Sequence, residues 1–233
     1  MSSIPHPIVL TLHRLQIALS RDFLGGPKVL RLSWVINAQK GGTALFVLGM
    51  MFLFNAWTPT MWTYLALHGT YGVCWLLKHA TFPDTRWDVR VTFGGAFMAF
   101  ALTLGLYWIA PVLIATGWTL PASPVLLTAC IALHTFGLAL MFGSDAQKYF
   151  TLRTQPGLIT DGFFAPIRHP NYLGEMMIYG SYALLAGHWL PWTILAWVWL
   201  GVFLPNILMK EASLARYAEW ADYKRRSGLL WPR

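Results

Sequence analysis

Residues 91–115 read VTFGGAFMAFALTLGLYWIAPVLIA, with no charged side chain anywhere in the stretch. About 20 apolar residues carry a helix through the hydrocarbon core of a bilayer, so this stretch reads as a transmembrane helix and decides the fold class. Working outward, apolar stretches recur at 43–57, 60–78, 123–143, 172–187 and 190–208. The expected fold is therefore all-α, a polytopic transmembrane helical bundle of about six spans. Three connections are very short: Trp57 to Thr60, Thr116 to Ala122 around Pro121, and Gly187 to Pro191. Each joins its neighbours as a helical hairpin. No repeat, low-complexity tract or linker interrupts the chain, so residues 1–233 form one domain. Within it we distinguish an N-terminal segment 1–42, helices 43–143 and a C-terminal part 144–233.

Composition agrees with this division. Of 233 residues, 56% are hydrophobic and 11% charged, and the mean hydropathy is +0.50, which excludes a soluble globular domain and a disordered chain. The net charge of +8 comes with 13 Trp and 14 Phe in long apolar runs, which places it beside membrane lipid and not on nucleic acid. Lys and Arg number five in the N-terminal segment, three at 78–90, three between 144 and 171, and six after 209, while the opposite connections carry none. Both termini are thus expected on the cytoplasmic side. All nine acids share that side, so polar chemistry is expected at or just beneath the cytoplasmic face. Residues 1–24 lack the apolar core of a cleavable signal, so the N-terminus is expected to be retained. Ile8, Leu12, Leu15, Leu19 and Phe23 recur with helical spacing opposite Arg14 and Arg21, the pattern of a helix lying in the interface. Cys74 and Cys130 sit inside apolar runs and read as packing residues.

Three clusters carry candidate chemistry. Between Gly143 and Glu175, the side chains of Asp145, Gln147, Lys148, Arg153, Asp161, Arg168, His169, Asn171 and Glu175 crowd into one connection. A solvated, salt-bridged loop is the plainer reading. Glu175 stands at the start of a span, however, where an unpaired carboxylate is costly, so it should meet Arg168, Lys148 or a ligand. The tail after position 209 reads as an interfacial helix with snorkelling cations, from which Glu211 and Tyr223 could close over a pocket lined by Arg168 and Asn171. The third cluster is a helical stripe of Tyr64, His68, Tyr71, Trp75 and Lys78, spaced four, three, four and three. It faces protein or a cavity. His68 needs a hydrogen-bond partner there, whether another helix, a water or a substrate oxygen. The sequence contains no GxGxxG, Walker, HExxH or CxxC motif, so a soluble nucleotide domain or an ordinary zinc site is not expected. His68 and His134 near mid-span give a weak signal for haem held between helices.

The run Arg168, His169, Pro170, Asn171, Tyr172, Leu173, Gly174 and Glu175 resembles the C-terminal signature of membrane steroid 5-alpha-reductases, their bacterial relatives and sterol reductases. More distantly it is similar to the RHPxYxG motif of isoprenylcysteine carboxyl methyltransferases and phospholipid N-methyltransferases. The resemblance covers about residues 134–233. On the reductase side it extends to Asp145, Gln147 and Lys148 upstream and to a Gly-rich approach at Gly157–Gly162. It implies an NADPH pocket on the cytoplasmic side of the bundle. The methyltransferase relatives carry a Glu pair after the last helix, where this chain has Lys210-Glu211. The Gln and Glu pair with which the animal steroid reductases grip a 3-keto group has no match here, so steroid specificity is not implied.

The expectation is an integral-membrane, NADPH-dependent reductase acting on a carbon–carbon double bond of a lipophilic substrate that arrives through the bilayer. Asp145, Lys148, Arg168, His169, Asn171, Tyr172, Glu175, Glu211 and Tyr223 are the candidate cofactor residues. Hydride transfer needs no metal, and it needs a donor that polarises the acceptor, for which Tyr64, His68 and Tyr71 are the candidates. The alternative is an S-adenosylmethionine-dependent methyltransferase with Arg168, His169, Tyr172 and Glu211 around its cofactor. A third reading is a non-enzymatic haem-holding or scaffold protein. A bacterial inner membrane is the expected location, with the endoplasmic reticulum as the alternative.

Overall fold

A computed structural model describes residues 6–233, so the first five residues of the N-terminal segment lie outside the described residues. The chain is mostly helical. Helix α1 (Pro7–Ile17) runs on through a π-helical turn at Ala18–Asp22. Helices α2 (Leu32–Leu53) and α3 (Pro59–Thr81) follow as an antiparallel hairpin. The next rod, Phe93–Ala115, consists of α4 (Phe93–Ala99), a π-helical turn at Phe100–Leu104, a 3₁₀ turn at Gly105–Trp108 and α5 (Ile109–Ala115). Helix α6 (Pro124–Thr154) and helix α7 (Pro170–Ala186) flank the long polar connection. The last rod, Trp189–Leu214, joins α8 (Trp189–Val198) to α9 (Leu204–Leu214) through a π-helical turn at Trp199–Phe203, and the short α10 (Trp220–Arg226) follows.

Local chemistry explains these boundaries. Thr58 and Ser123 accept hydrogen bonds from the amides of Met61 and Leu126, both at 3.2 Å, and each is followed by a proline preset for the first helical turn. Gly187 ends α7 in the left-handed conformation at φ 59° and lets α8 start almost at once. Two short pairings supplement the helices. Leu30–Arg31 pairs antiparallel with Arg90–Val91, and Ile167 bridges Gly228 in parallel.

Among the described residues, three helices are long and apolar enough to cross a membrane: Phe93–Ala115, Pro124–Thr154 and Trp189–Leu214. The outer surface fits a bilayer, with Leu45, Phe52, Phe97, Phe136 and Leu200 all more than 60% exposed. Polar groups turn inward instead, and Gln39, Lys40, His68, Lys78 and His134 are buried.

One boundary differs from the expectation in a way that matters. The first long helix begins at Leu32, not at 43, so Lys40 is an interior helical residue and not part of a basic flanking loop. Its helix also comes close to α3, since a Cβ on Gly72 would lie 2.2 Å from the Lys40 carbonyl oxygen. Helices α6 and α7 approach each other just as closely. A Cβ on Gly137 would lie 2.7 Å from the Gly174 carbonyl oxygen, and a Cβ on Gly174 would lie 2.6 Å from that of Gly137. Contact of this kind requires glycine on both sides.

Candidate functional site

The connection between α6 and α7 and the segment after α9 fold onto each other. The Arg168 amide donates to the Gly228 carbonyl at 2.9 Å, and the Gly228 amide donates to the Pro166 carbonyl at 3.0 Å. Arg168 then ties four elements together. Its Nε donates to both oxygens of Glu211 at 3.0 and 3.1 Å, and its Nη1 donates to the carbonyls of Ser227 and of Lys224, the latter at 3.3 Å. The indole of Trp220 lies 5.8 Å from its guanidinium carbon. His169 Nε2 also meets Glu211, at 2.8 Å from Oε1. Burial pushes the His169 imidazole down, and the bond to Glu211 offsets this only in part. Tyr223 donates to the Phe164 carbonyl at 2.7 Å, and burial pushes its phenol up to about 12, so it stays a donor.

This scaffold walls an outer cavity of about 390 Å³. Five cationic side chains line it, Arg86, Lys148, Arg168, Lys210 and Arg216, and among the described residues no carboxylate does. Gly157, Leu158 and Ile159 of the Gly-rich approach form part of its wall. That approach is held by Gln147, which accepts from the Phe163 amide at 2.9 Å and donates to the Asp161 carbonyl at 3.1 Å. Arg86 reaches the cavity from the connection after α3, gripped there by Asp84. Burial alone would raise Asp84, but the Arg86 fork holds its carboxyl well below the usual range.

Arg86 and Asn171 also line a second, inner chamber of about 120 Å³, so the two spaces adjoin. Asp145, Tyr172, Glu175, Lys40, Tyr107 and Tyr179 face this chamber. Lys40 donates to the Tyr179 hydroxyl and lies 3.5 Å from that of Tyr71. The rings of Tyr71 and Tyr179 flank its ammonium at 4.5 and 4.8 Å. Tyr107 stacks on Tyr179 with ring centroids 3.9 Å apart and fixes that ring. A buried ammonium held by phenols and aromatic faces is costly to keep and is a strong candidate for function.

The candidates named from sequence separate into groups. Lys148, Arg168, His169, Asn171 and Tyr223 line the outer cavity, and Asp145, Asn171, Tyr172 and Glu175 line the inner chamber. Glu211 sits behind the wall and braces Arg168 and His169. Contrary to the expectation from its position, Glu175 pairs with neither Arg168 nor Lys148. Arg168 is taken by Glu211, and Glu175 faces Lys40 and Lys78 across the chamber, with Lys78 bound to Asp145 at 2.5 Å. Tyr64 and His68 line neither space. They are 3.0 Å apart, Oη to Nδ1, and the His68 ring stacks on Tyr182 at 4.3 Å, deeper in the core. Tyr71 lies behind the chamber wall, where it meets Lys40 and the ring of Tyr179. The sequence reading did not single out Lys40, Arg86, Tyr107, Tyr179, Lys210 or Arg216 as cavity residues. For Lys40 a signal exists, because Ile36, Lys40, Thr43, Val47 and Met51 form one helical stripe.

Fold and cavities together define a helical membrane protein with a cation-lined cavity opening onto a smaller polar chamber. The chain belongs to the family described as protein of unknown function, DUF1295, whose profile matches residues 14–227. It is similar to two uncharacterized proteins of Schizosaccharomyces pombe. One is 46% identical over 41 residues, 18% of this chain and 15% of the relative. The other is 35% identical over 92 residues, 37% of this chain and 27% of the relative. The chain thus matches well under a third of either relative's length. No solved structure matches it.

Proposed function

We propose that this protein is an integral-membrane reductase that uses NADPH to reduce a carbon–carbon double bond of a lipophilic substrate. The observation that carries this reading is the charge set of the outer cavity, five cations and no lining carboxylate among the described residues. Such a set suits a ligand bearing several phosphate charges. It suits S-adenosylmethionine poorly, because a sulfonium needs a carboxylate or an open aromatic face, and Glu211 is already committed to Arg168 and His169. Lys148, Lys210 and Arg216 would hold phosphates, and Asn171 offers an amide where the two spaces meet. NADPH when bound supplies the hydride.

On the substrate side we assign the donor role to Tyr179 with Lys40, because both face the chamber, and leave Tyr64 and His68 to the packing of the core. Hydride added to the β-carbon of a conjugated enone would break the carbon–carbon π bond and leave an enolate. The Tyr179 hydroxyl can give the enolate oxygen a proton, the Lys40 ammonium returns one to the phenolate and regains it from water, and the enol tautomerises, its proton ending on the α-carbon of the saturated carbonyl. We also read the six long helical rods as six spans with both termini on the cytoplasmic side, as the Lys and Arg distribution supports. The outer cavity would then open to the cytosol.

The test is equilibrium binding to detergent-purified protein, titrating NADPH, NADH and S-adenosylmethionine while following the melting temperature. A rise selective for NADPH is the expected result. A rise with S-adenosylmethionine alone would replace the reductase with a methyltransferase.

A further inference from the structure

An apolar crevice of about 140 Å³ runs beneath α1, where Leu12, Leu15 and Leu19 face Met98, Leu102 and Trp197. Its rim is open, with Leu12 at 40%, Leu15 at 53% and Trp197 at 54% exposure on the apolar outer surface. Two of its residues, Thr103 and Val202, line the inner chamber as well, so the crevice adjoins the chamber that holds Tyr179 and Lys40, with these two side chains between them. Both residues lie in π-helical turns, Thr103 in Phe100–Leu104 and Val202 in Trp199–Phe203. Such turns displace side chains from the regular helical register and recur at functional sites. Carbonyls within these turns accept from side chains, Leu102 from Trp197 Nε1 at 3.0 Å and Val202 from Asn206 Nδ2 at 2.8 Å, which fixes the floor of the passage. At the junction Asn206, a chamber residue, also donates to Gln16 of α1 across 3.4 Å. That bond ties α1 to the chamber wall at this point.

We propose that this crevice is the berth of a single apolar chain, and that the substrate is a slender long-chain lipid whose oxygen-bearing end reaches Tyr179 and Lys40. Its tail lies under α1. Naming that lipid a substrate rests on the reductase reading, whereas the berth itself does not. Pockets for compact, drug-sized ligands measure roughly 300–1,000 Å³. Crevice and chamber, at about 140 and 120 Å³, are each far smaller and meet only at Thr103 and Val202, which suits a narrow chain better than a fused polycycle. Leucine, methionine and tryptophan side chains dominate the crevice, whose polar members Gln16, Ser20 and Thr103 are few, and the cluster of Tyr179 and Lys40 in the chamber sets the direction of the ligand.

Photolabelling of the full chain in lipid nanodiscs, without cofactor, tests the berth. The probes are a long-chain fatty alcohol and a sterol, each carrying a diazirine, with labelled residues mapped by mass spectrometry. The fatty alcohol should label the crevice around Leu102 and Trp197 and the chamber at Tyr107 or Tyr179, and the sterol should label only the outer surface. A Cβ on Gly201, which lines the crevice, meets nothing within 4 Å, so Gly201→Leu starts from open space and adds its branched end to the crevice. It should cut chamber labelling roughly ten-fold and spare the outer surface, the effect of overpacking a narrow space. Val202→Trp is the second plug. Chamber labelling that survives both plugs, fatty-alcohol labelling confined to the outer surface, or sterol in the chamber would overturn the proposal. The NADPH melting shift is read on the same samples: its absence alongside the expected labelling pattern would remove the reductase reading and leave the berth standing.

Discussion

Glu211 meets Arg168 side-on, with Nε 3.0 Å from one carboxylate oxygen and 3.1 Å from the other, and shares the nearer oxygen with His169. Both side chains are largely buried, at 7% and 12% exposure, so removing one strands the other. Arg168→Met should destabilise the fold by about 3 kcal/mol. Removing both charges in Arg168→Met with Glu211→Met should cost less than the two single changes together. Thermal unfolding in detergent of the four proteins of this cycle measures the coupling.

His169 gives the same region a pH dependence. Its folded-state value is lowered by burial, so the unfolded chain takes up the proton more readily. The contribution to stability is full above the ordinary histidine value of about 6.5 and is lost as the pH falls from there through the lowered one. Melting temperature against pH should therefore bend downward below about 6.5 in the native protein, and less so in His169→Asn. Equal curves would show that His169 does not titrate with folding.

The contact between α6 and α7 is tested by Gly174→Ala. The new methyl would stand 2.6 Å from the Gly137 carbonyl oxygen and 2.6 Å from the Met141 amide nitrogen, both backbone atoms that cannot turn aside. A cost of about 1–3 kcal/mol is expected. Gly180→Ala, on the same helix with open space around the new methyl, is the control and should be close to neutral.

In the outer cavity, Lys148→Gln and Arg216→Gln should each weaken NADPH binding by roughly ten-fold, the value of one charge-assisted hydrogen bond. The native affinity should fall as salt is raised, and more steeply than in either variant. Isothermal titration at two ionic strengths reads both effects. Unchanged affinity in both variants would remove phosphate binding from this cavity.

Tyr179→Phe and Lys40→Met should keep the NADPH melting shift and lose turnover by about 10²-fold or more, the usual contribution of a positioned proton donor. His68→Phe should change stability more than rate, since its ring packs on Tyr182 away from the chamber. A rate loss confined to His68→Phe would return the donor role to the stripe on α3.

Much of this architecture was readable from the sequence, because long apolar runs and their short hairpin connections leave few alternatives. Residues of the run from Arg168 to Glu175 line both cavities, and Asn171 stands where the two spaces meet. Lys40 escaped notice because a charged residue inside an apolar pattern looks like the end of a span. Only packing shows that Tyr71 and Tyr179 shield its ammonium. Arg86 escaped for another reason. It arrives from a connection distant in sequence, and nothing local announces that Asp84 aims it across the cavity mouth. Arg168 lines the outer cavity, but its bracing of the tail is visible only once its partners there are known.

The glycine contact between α6 and α7 also has an evolutionary consequence. Because the two helices hold each other directly through Gly137 and Gly174, the connection between them carries little of the burden of keeping them together. Residues 155–160, ahead of the part that Gln147, Tyr223 and Gly228 tie down, can drift in sequence, and lengthen or shorten, while the helices that present Lys148 and Asn171 stay in place. Lineages sharing this scaffold would thus be free to remodel the rim of the cavity for a different soluble ligand without rebuilding the part embedded in lipid.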